Sequence, residues 1–255
     1  MSERLEWRTV VRAFAATEAR NLWRMRTPVI FMFAVPALLS LLLGTAVSGD
    51  PSAFPGRSVI GFAVLFSFMT INYQGLALFR EFFGNTWLRQ AVGKPPRSAF
   101  LVGKLAPVMA MGSVQLVVFA ALTFLFYPLP LHGDVLQLVV VAVPLVCCGP
   151  MIGILLYNLT KSVSTFQSIT YLVMLGTGGL GGTIVTPEQL PAVSRALGPF
   201  TPHHWAIKAF TNSTVGSGSW SLTLQCAGII TGIAVVFAIA AIATFDFRAE
   251  KLAYA

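Results

Sequence analysis

Few residue groups in this sequence have the types and spacing that enzyme chemistry requires. The two Gly-Lys pairs, at residues 93–94 and 103–104, are followed by proline and leucine, so neither completes the GxxxxGK[ST] loop that binds nucleotide phosphates. The sequence also contains no HExxH or GxSxG motif. We therefore expect no catalytic residues and no ATPase site in this chain.

Histidine and cysteine are the remaining candidates for metal binding. His203 and His204 are adjacent, but no acidic residue stands at ligand spacing, and His132 lies in a different loop. The cysteines, at 147, 148 and 226, lie in apolar stretches without CxxC spacing. We expect interfacial histidines, structural thiols and no metal site.

The composition indicates a membrane protein rather than a soluble globule. Of the 255 residues, 56% are hydrophobic and only 10% are charged, whereas soluble domains carry about a quarter charged residues. A helix that crosses the bilayer needs about 20 mostly apolar residues. The sequence therefore predicts an all-α membrane protein with six transmembrane helices, at 28–48, 58–78, 105–127, 135–157, 166–186 and 222–245.

The basic residues predict the orientation of these spans. Of the 17 lysines and arginines, only Arg57, Arg195 and Lys208 fall in the gaps after the first, third and fifth spans. Because loops rich in lysine and arginine stay in the cytoplasm, we expect a multi-pass plasma-membrane protein with both termini cytoplasmic. Residues 246–255 then form a cytoplasmic tail, and the net charge of +8 reflects topology rather than nucleic-acid binding.

Residues 1–27 form a separate unit before the first span. At 100° per residue, Trp7, Phe14 and Leu22 fall on one side of a helix, and the arginines lie mostly on the other. This pattern predicts a cytoplasmic amphipathic helix at the membrane interface, with its apolar side in lipid and its arginines toward anionic headgroups. The alternative is a helix that packs against a soluble partner.

The long cytoplasmic loop at 79–104 is a candidate docking surface for a partner protein. The sequence predicts a short helix at Thr86–Val92, which would end at Gly93 and the two prolines that follow. The alternative is a solvated loop whose arginines only follow the charge rule for membrane topology. The residues expected to couple the loop to a partner are Arg80, Glu81, Thr86, Trp87 and Arg89.

The extracellular loop at 187–221 is too apolar for a free loop and too rich in proline for a span. Short re-entrant or interfacial helices fit this composition, with Trp205 at the level of the lipid headgroups.

Polar side chains within the spans could line a path for a substrate. The densest group, in the second span, is Thr70, Asn72, Tyr73 and Gln74. These residues could equally form hydrogen bonds between helices. GxxxG spacings at 149/153, 178/182 and 228/232 let helices approach closely, either within the chain or between two copies.

The order of these parts, together with two loop patterns, resembles a known family. The stretch Asn85-Thr86-Trp87-Leu88-Arg89, followed by Gly103-Lys104, is similar to the Gly-Thr-Trp-acidic-Arg … Gly-Lys pattern of daunorubicin-resistance-type permeases. The stretches PEQLP at 187–191 and PFTP at 199–202 are similar to the family's P-x-x-L-P … N-P-x-x. The chain thus resembles permease subunits of type-2 ABC transporters. It departs from them at residue 88, where many relatives have an acid, and at residues 200–201.

The resemblance implies a transport subunit without an ATPase site of its own. A separate ABC ATPase subunit would bind ATP and Mg and receive the helix at Thr86–Val92. A second permease copy, identical or different, would complete a path that relatives build from their first, second and fifth spans. The expected function is export of a drug, antibiotic or other amphiphilic compound. Export of polysaccharide or lipid, an ATP-independent carrier or channel, and an intramembrane enzyme are the alternatives.

Overall fold

The computed structural model describes residues 2–43, 56–84, 86, 95–126, 130–185, 189–246 and 251. Helices contain most of these described residues, and none of them lies in a β-strand. A 3-10 turn at Gly198–Phe200 follows the eighth α-helix. In chain order, the α-helices are α1 (Ser2–Arg24), α2 (Arg26–Leu43), α3 (Gly56–Ser67), α4 (Thr70–Phe83), α5 (Arg97–Phe126), α6 (Val135–Leu159), α7 (Val163–Gly181), α8 (Ala192–Leu197), α9 (Pro202–Thr214) and α10 (Trp220–Thr244).

Four stretches of helix among the described residues are long and apolar enough to cross a membrane. They are Val59–Phe83, which joins α3 to α4, and the helices α5, α6 and α10. They coincide with the predicted second, third, fourth and sixth spans. The helical parts Trp7–Arg24 and Val29–Leu39 are long and apolar enough to cross a membrane only if they are taken together, and they are bent by 60° where they meet. The predicted fifth span overlaps α7, which is not among these candidate spans and whose first half is rich in serine and threonine.

The predicted loop at 79–104 is shorter in the structure. Residues 79–83 belong to α4, and residues 97–104 belong to α5. Charged residues at the ends of these two helices can stay helical because they pair with one another. Of the predicted short helix Thr86–Val92, only Thr86 is among the described residues.

The second span is interrupted where α3 meets α4. At this point hydroxyl groups bond to carbonyls three residues back: Ser67 Oγ donates to Val64 O at 2.7 Å, and Thr70 Oγ1 donates to Ser67 O at 2.7 Å. Gln115 of α5 donates from Nε2 to Phe66 O at 3.2 Å. These bonds satisfy polar groups at the break, which lipid could not do.

Gln115 also compensates for a proline in α2. Its Nε2 lies 3.3 Å from Met32 O, and the residue four positions later is Pro36. Because proline has no N–H, Met32 O lacks its normal intrahelical donor. One buried amide thus holds α2, α3 and α5 together.

Small residues allow the second span to lie at the centre of the bundle. A Cβ at Gly149 of α6 would lie 2.2 Å from Thr70 Oγ1, and one at Gly153 would lie 2.5 Å from Ile71 O. This GxxxG pair therefore packs within the chain. By contrast, Gly228 and Gly232 of α10 have no atoms within 4 Å of such a Cβ.

Local capping explains where α7 and α9 begin. Ser162 Oγ accepts a hydrogen bond from Thr165 N at the start of α7, and Thr201 does the same for His204 N at the start of α9. Pro202 occupies the first position of α9, where a missing N–H costs nothing.

The start of α9 lies beside the second span. The His203 ring stacks on Phe68, with centroids 3.9 Å apart. Phe68 lies nine residues into the second span, which is roughly 13 Å along its axis, so α9 begins at that depth.

Candidate coupling site

The N-terminal helix α1 packs on α5 through a glycine. A Cβ at Gly103 would lie 2.6 Å from Phe14 Cβ and 2.9 Å from Val11 O, so no larger residue fits. Phe14 packs edge-on against Phe100 of α5, with centroids 5.0 Å apart, and Trp7 Nε1 donates to Ser98 Oγ at 3.0 Å. The prediction that this apolar side lies in lipid is therefore wrong for these residues. They pack on protein because Gly103 admits the helix.

This docking buries Glu18 in the middle of the apolar side of α1. Its Oε2 accepts a hydrogen bond from Lys104 Nζ at 2.7 Å. Its Oε1 forms an ion pair with Arg80 Nη2. Both cations come from other helices, Lys104 from α5 and Arg80 from α4, so one carboxylate joins three helices.

Lys104 is the centre of the cluster. Its side chain is fully buried, and its Nζ pairs with Glu18 on α1 and with Glu81 Oε1 on α4. Lys104 directly follows Gly103. Because the glycine lets α1 approach α5, the Lys104 ammonium can reach Glu18. A buried ammonium between two carboxylates has its charge compensated within the protein.

Glu81 extends the cluster toward the following loop. Thr86 Oγ1 lies 2.5 Å from Glu81 Oε2 and 2.9 Å from Glu81 O. Arg80, at the other end of the cluster, is 30% exposed. We call these five residues, Glu18, Arg80, Glu81, Thr86 and Lys104, the coupling cluster.

The coupling cluster is electrically neutral and mechanically connected. Its ion pairs run in the order Arg80, Glu18, Lys104, Glu81, so each internal charge has two opposite neighbours. Removing one member of a buried pair leaves an uncompensated charge, which costs about 3–5 kcal/mol. Glu81, which accepts a hydrogen bond from Thr86, is therefore linked by ion pairs to α5 and, through Lys104, to α1.

Three of the five predicted coupling residues lie in this cluster, and two cannot be placed. Arg80, Glu81 and Thr86 are brought together, whereas Trp87 and Arg89 lie outside the described residues. Sequence reasoning missed Glu18 and the ionic role of Lys104. The signal for Glu18 was its place among Trp7, Val11, Phe14 and Leu22 on the apolar side, where a lone carboxylate implies a buried partner.

The predicted substrate-path residues lie on different sides of α4. Thr70 and Gln74 face α6, at Gly149 and Gly153 respectively, and are buried inside the chain. Tyr73 is buried in a cluster with Leu22, Met32 and Val108. Asn72 is half-buried, and its Oδ1 has no hydrogen-bond partner. Met69, Asn72 and Leu76 form a continuous, partly accessible strip along α4.

The adjacent histidines His203 and His204 both make aromatic contacts. His203 stacks on Phe68, and the His204 ring lies 5.3 Å edge-on from Trp205. Within the described part of the chain, no group of three or more His, Cys, Asp or Glu side chains could hold a metal ion.

Long apolar helices with a buried ionic cluster at one end define a multi-pass helical membrane protein. The family model of the ABC-2 type transporter matches residues 9–215, which is most of the chain. The chain therefore belongs to the ABC-2 type transporter family and is the membrane component of an ABC-type transporter, which works with an ATPase subunit. No curated protein matches the sequence.

Proposed function

We propose that this chain is the permease of an ATP-driven exporter and that the coupling cluster transmits the motion of its ATPase to the spans. The observation that carries the proposal is the link from Thr86 to Glu81 and on to Lys104. Thr86 belongs to the segment between α4 and α5 and donates a hydrogen bond to Glu81 at the end of α4. The ion pairs of Lys104 with Glu81 and Glu18 then connect α4 to α5 and to α1. An ATPase bound to this segment would move the three helices as one body.

Coupling requires two states of the permease that the ATPase favours unequally. An ATPase that binds ATP changes its own shape, and its contact with the segment 84–96 would favour one arrangement of the spans over the other. A rigid ionic link suits this role, because a flexible loop would absorb the displacement before it reached the helices. The chain itself then needs no bound ATP or Mg.

The proposed topology has six spans, with α2 and α7 as the first and fifth, and both termini in the cytoplasm. The basic residues support this orientation, because 14 of the 17 lie outside the gaps after the first, third and fifth predicted spans. The exposed arginines of α1, on the side away from α5, fit the surface of the cytoplasmic leaflet.

A second permease copy would cover α7. On this helix Leu172 is 72% exposed and Leu175 is 53% exposed. A Cβ at Gly176 or Gly179 would have no atom within 4 Å. Apolar side chains beside open glycines suit close packing of helices in lipid, and relatives use their fifth span at the interface between permeases.

The proposed cargo is an amphiphilic compound such as a drug or antibiotic. The partly buried residues Met69, Asn72 and Leu76 support this class, because two apolar side chains flank an amide whose Oδ1 has no hydrogen-bond partner. Such a surface could accept an apolar body and one hydrogen-bonding group. Polysaccharide or lipid export is the second candidate.

The test of the proposed function is a pull-down of the tagged chain from detergent-solubilised native membranes, with mass identification of its partners. We expect a stoichiometric soluble ATPase, and we expect it to be lost when residues 86–92 are scrambled. Trp87→Ala and Arg89→Glu are expected to separate ATP hydrolysis from export while the chain still inserts. Recovery of the chain without an ATPase under mild conditions would favour an ATP-independent carrier.

A further inference from the structure

The tail residue Lys251 is buried, although it lies beyond the last span. Its Nζ donates hydrogen bonds to Tyr157 O and Thr160 O, both at 2.6 Å, and to Asn158 O at 3.4 Å. Since α6 ends at Leu159, two of these carbonyls belong to its last turn, which has no intrahelical donors. Lys251 therefore caps α6 from a distant part of the chain.

The charge of Lys251 is stabilised by dipoles and aromatic rings. Its Nζ lies 4.4 Å from the centroid of the Tyr157 ring and 5.9 Å from that of Phe79. Carbonyls at the end of a helix and aromatic faces both attract a cation. Burial lowers the pKa of Lys251 from 10.5 to about 8. Because lysine is almost never buried without partners, this contact is a defined docking point for the tail.

Phe79 connects this docking point to the coupling cluster. It directly precedes Arg80 and Glu81 on α4. Its ring packs edge-on against Tyr157, with centroids 4.8 Å apart, and lies 5.5 Å from the Phe166 ring. The last turns of α4 thus contain Arg80 and Glu81 of the coupling cluster, and through Phe79 they also pack against Tyr157, whose carbonyl Lys251 binds.

A second contact fastens the same place to α10. Asn158 Nδ2 donates to Ala241 O at 2.8 Å and to Thr244 Oγ1 at 2.9 Å. The end of α6 is therefore held by α10 through Asn158 and by the tail through Lys251. Tyr157 and Ala241, which these contacts involve, belong to the same buried apolar cluster as Phe79.

We propose that Lys251 is a positioning residue for coupling: its side chain acts as a latch that holds the end of α4 against the end of α6. The latch determines how far α4 moves independently of α6 when the ATPase displaces the segment after Phe83. The inference rests on the proposed function, because it assigns the latch a place in the transmission of that motion.

The first test measures hydrogen–deuterium exchange of the full chain in nanodiscs, comparing Lys251→Met with the natural sequence. We expect faster exchange at residues 157–160 and also at residues 78–83, by roughly five- to thirty-fold, the factor that one lost contact makes in a two-state population. Lys161→Met is the matched control, because Lys161 is exposed in the same region. Lys251→Arg, which keeps the charge and N–H donors, should restore most of the protection.

The second test repeats the exchange measurement with the ATPase that copurifies with the chain, with and without ATP. In the natural sequence we expect ATP to change exchange at residues 78–83, and in Lys251→Met we expect this change to shrink while hydrolysis continues. If Lys251→Met does not fold, Lys251→Gln, which keeps an N–H donor without the charge, is used in the same comparison.

The outcomes separate the latch from a simple helix cap. Faster exchange confined to residues 157–160 would mean that Lys251 only caps α6, and the proposal would fail. Unchanged exchange in both segments would also overturn it. If no ATPase copurifies, the proposed function fails, whereas the measurement on the chain alone still decides whether the tail holds α4.

Discussion

Replacing Lys104 with methionine tests the central contact of the coupling cluster. Methionine keeps the length and apolar character of the lysine stem but removes the ammonium that pairs with Glu18 and Glu81. Glu18 retains Arg80 as a partner, whereas Glu81 loses its ion pair with Lys104. The substitution therefore removes the cation that lies between two buried carboxylates.

The expected cost follows from this imbalance. Breaking a buried ion pair by removing one partner costs about 3–5 kcal/mol. For a chain of this size, each kcal/mol lowers the melting temperature by about 2–4 °C. We expect Lys104→Met to lower it by roughly 6–20 °C, and the exposed control Lys161→Met to change the free energy of unfolding by less than about 0.5 kcal/mol.

A double-mutant cycle identifies the cause of the loss. Glu81→Gln removes one of the two carboxylate charges that Lys104 faces, and its side chain can still accept from Thr86. The double variant should therefore be more stable than Lys104→Met alone, with an interaction energy of about 0.5–3 kcal/mol. The assay is thermal unfolding of the purified chain in detergent, followed by circular dichroism and size-exclusion chromatography.

Two results would refute this reasoning. A melting temperature of Lys104→Met within about 2 °C of the natural sequence would mean that the ammonium is not paired in the folded chain. A double variant less stable than Lys104→Met would mean that Glu81 is stabilised by groups other than Lys104.

Two further predictions concern the docking of α1 and the topology. Gly103→Val should displace α1 and speed tryptic cleavage at its arginines severalfold, because even a Cβ at this position meets the α1 backbone at 2.9 Å. The control Gly176→Val, at a glycine with open space around it, should leave the cleavage rate unchanged. Equal cleavage rates in the two variants would contradict the packing of α1 on α5. A cysteine replacing Val215 should react with a membrane-impermeant maleimide in intact cells, whereas one replacing Gln90 should react only after lysis; the opposite pattern would reverse the orientation.

Spans and packing differed in how well the sequence predicted them. The predicted second, third, fourth and sixth spans coincide with long apolar helices, because length and hydropathy are properties of a continuous segment. The apolar side of α1 is covered, as predicted, but at Phe14 and Val11 it is covered by α5 rather than by lipid. An apolar stripe suits lipid and protein equally, and only the close approach at Gly103 distinguishes them.

The candidate site was predicted in part for a related reason. Arg80, Glu81 and Thr86 are close in sequence, so a loop pattern could group them. Their partner Glu18 lies far away in the chain, and an isolated carboxylate on an amphipathic helix gives no indication of which cation it will meet. In the sequence, Lys251 contributes only to the count of basic residues that predicts the topology. In the structure, its side chain caps α6.

The sequence by itself determined that this protein crosses a membrane, because burial in lipid depends on apolar length and on local charge. Only the tertiary structure decided which charges meet. Glu18 and Lys104 are 86 residues apart, and their pairing depends on the angle and separation at which α1, α4 and α5 pack. The angle and the separation depend on the shapes of many side chains at once. The missing side chain at Gly103 matters most, because it lets α1 approach α5 closely.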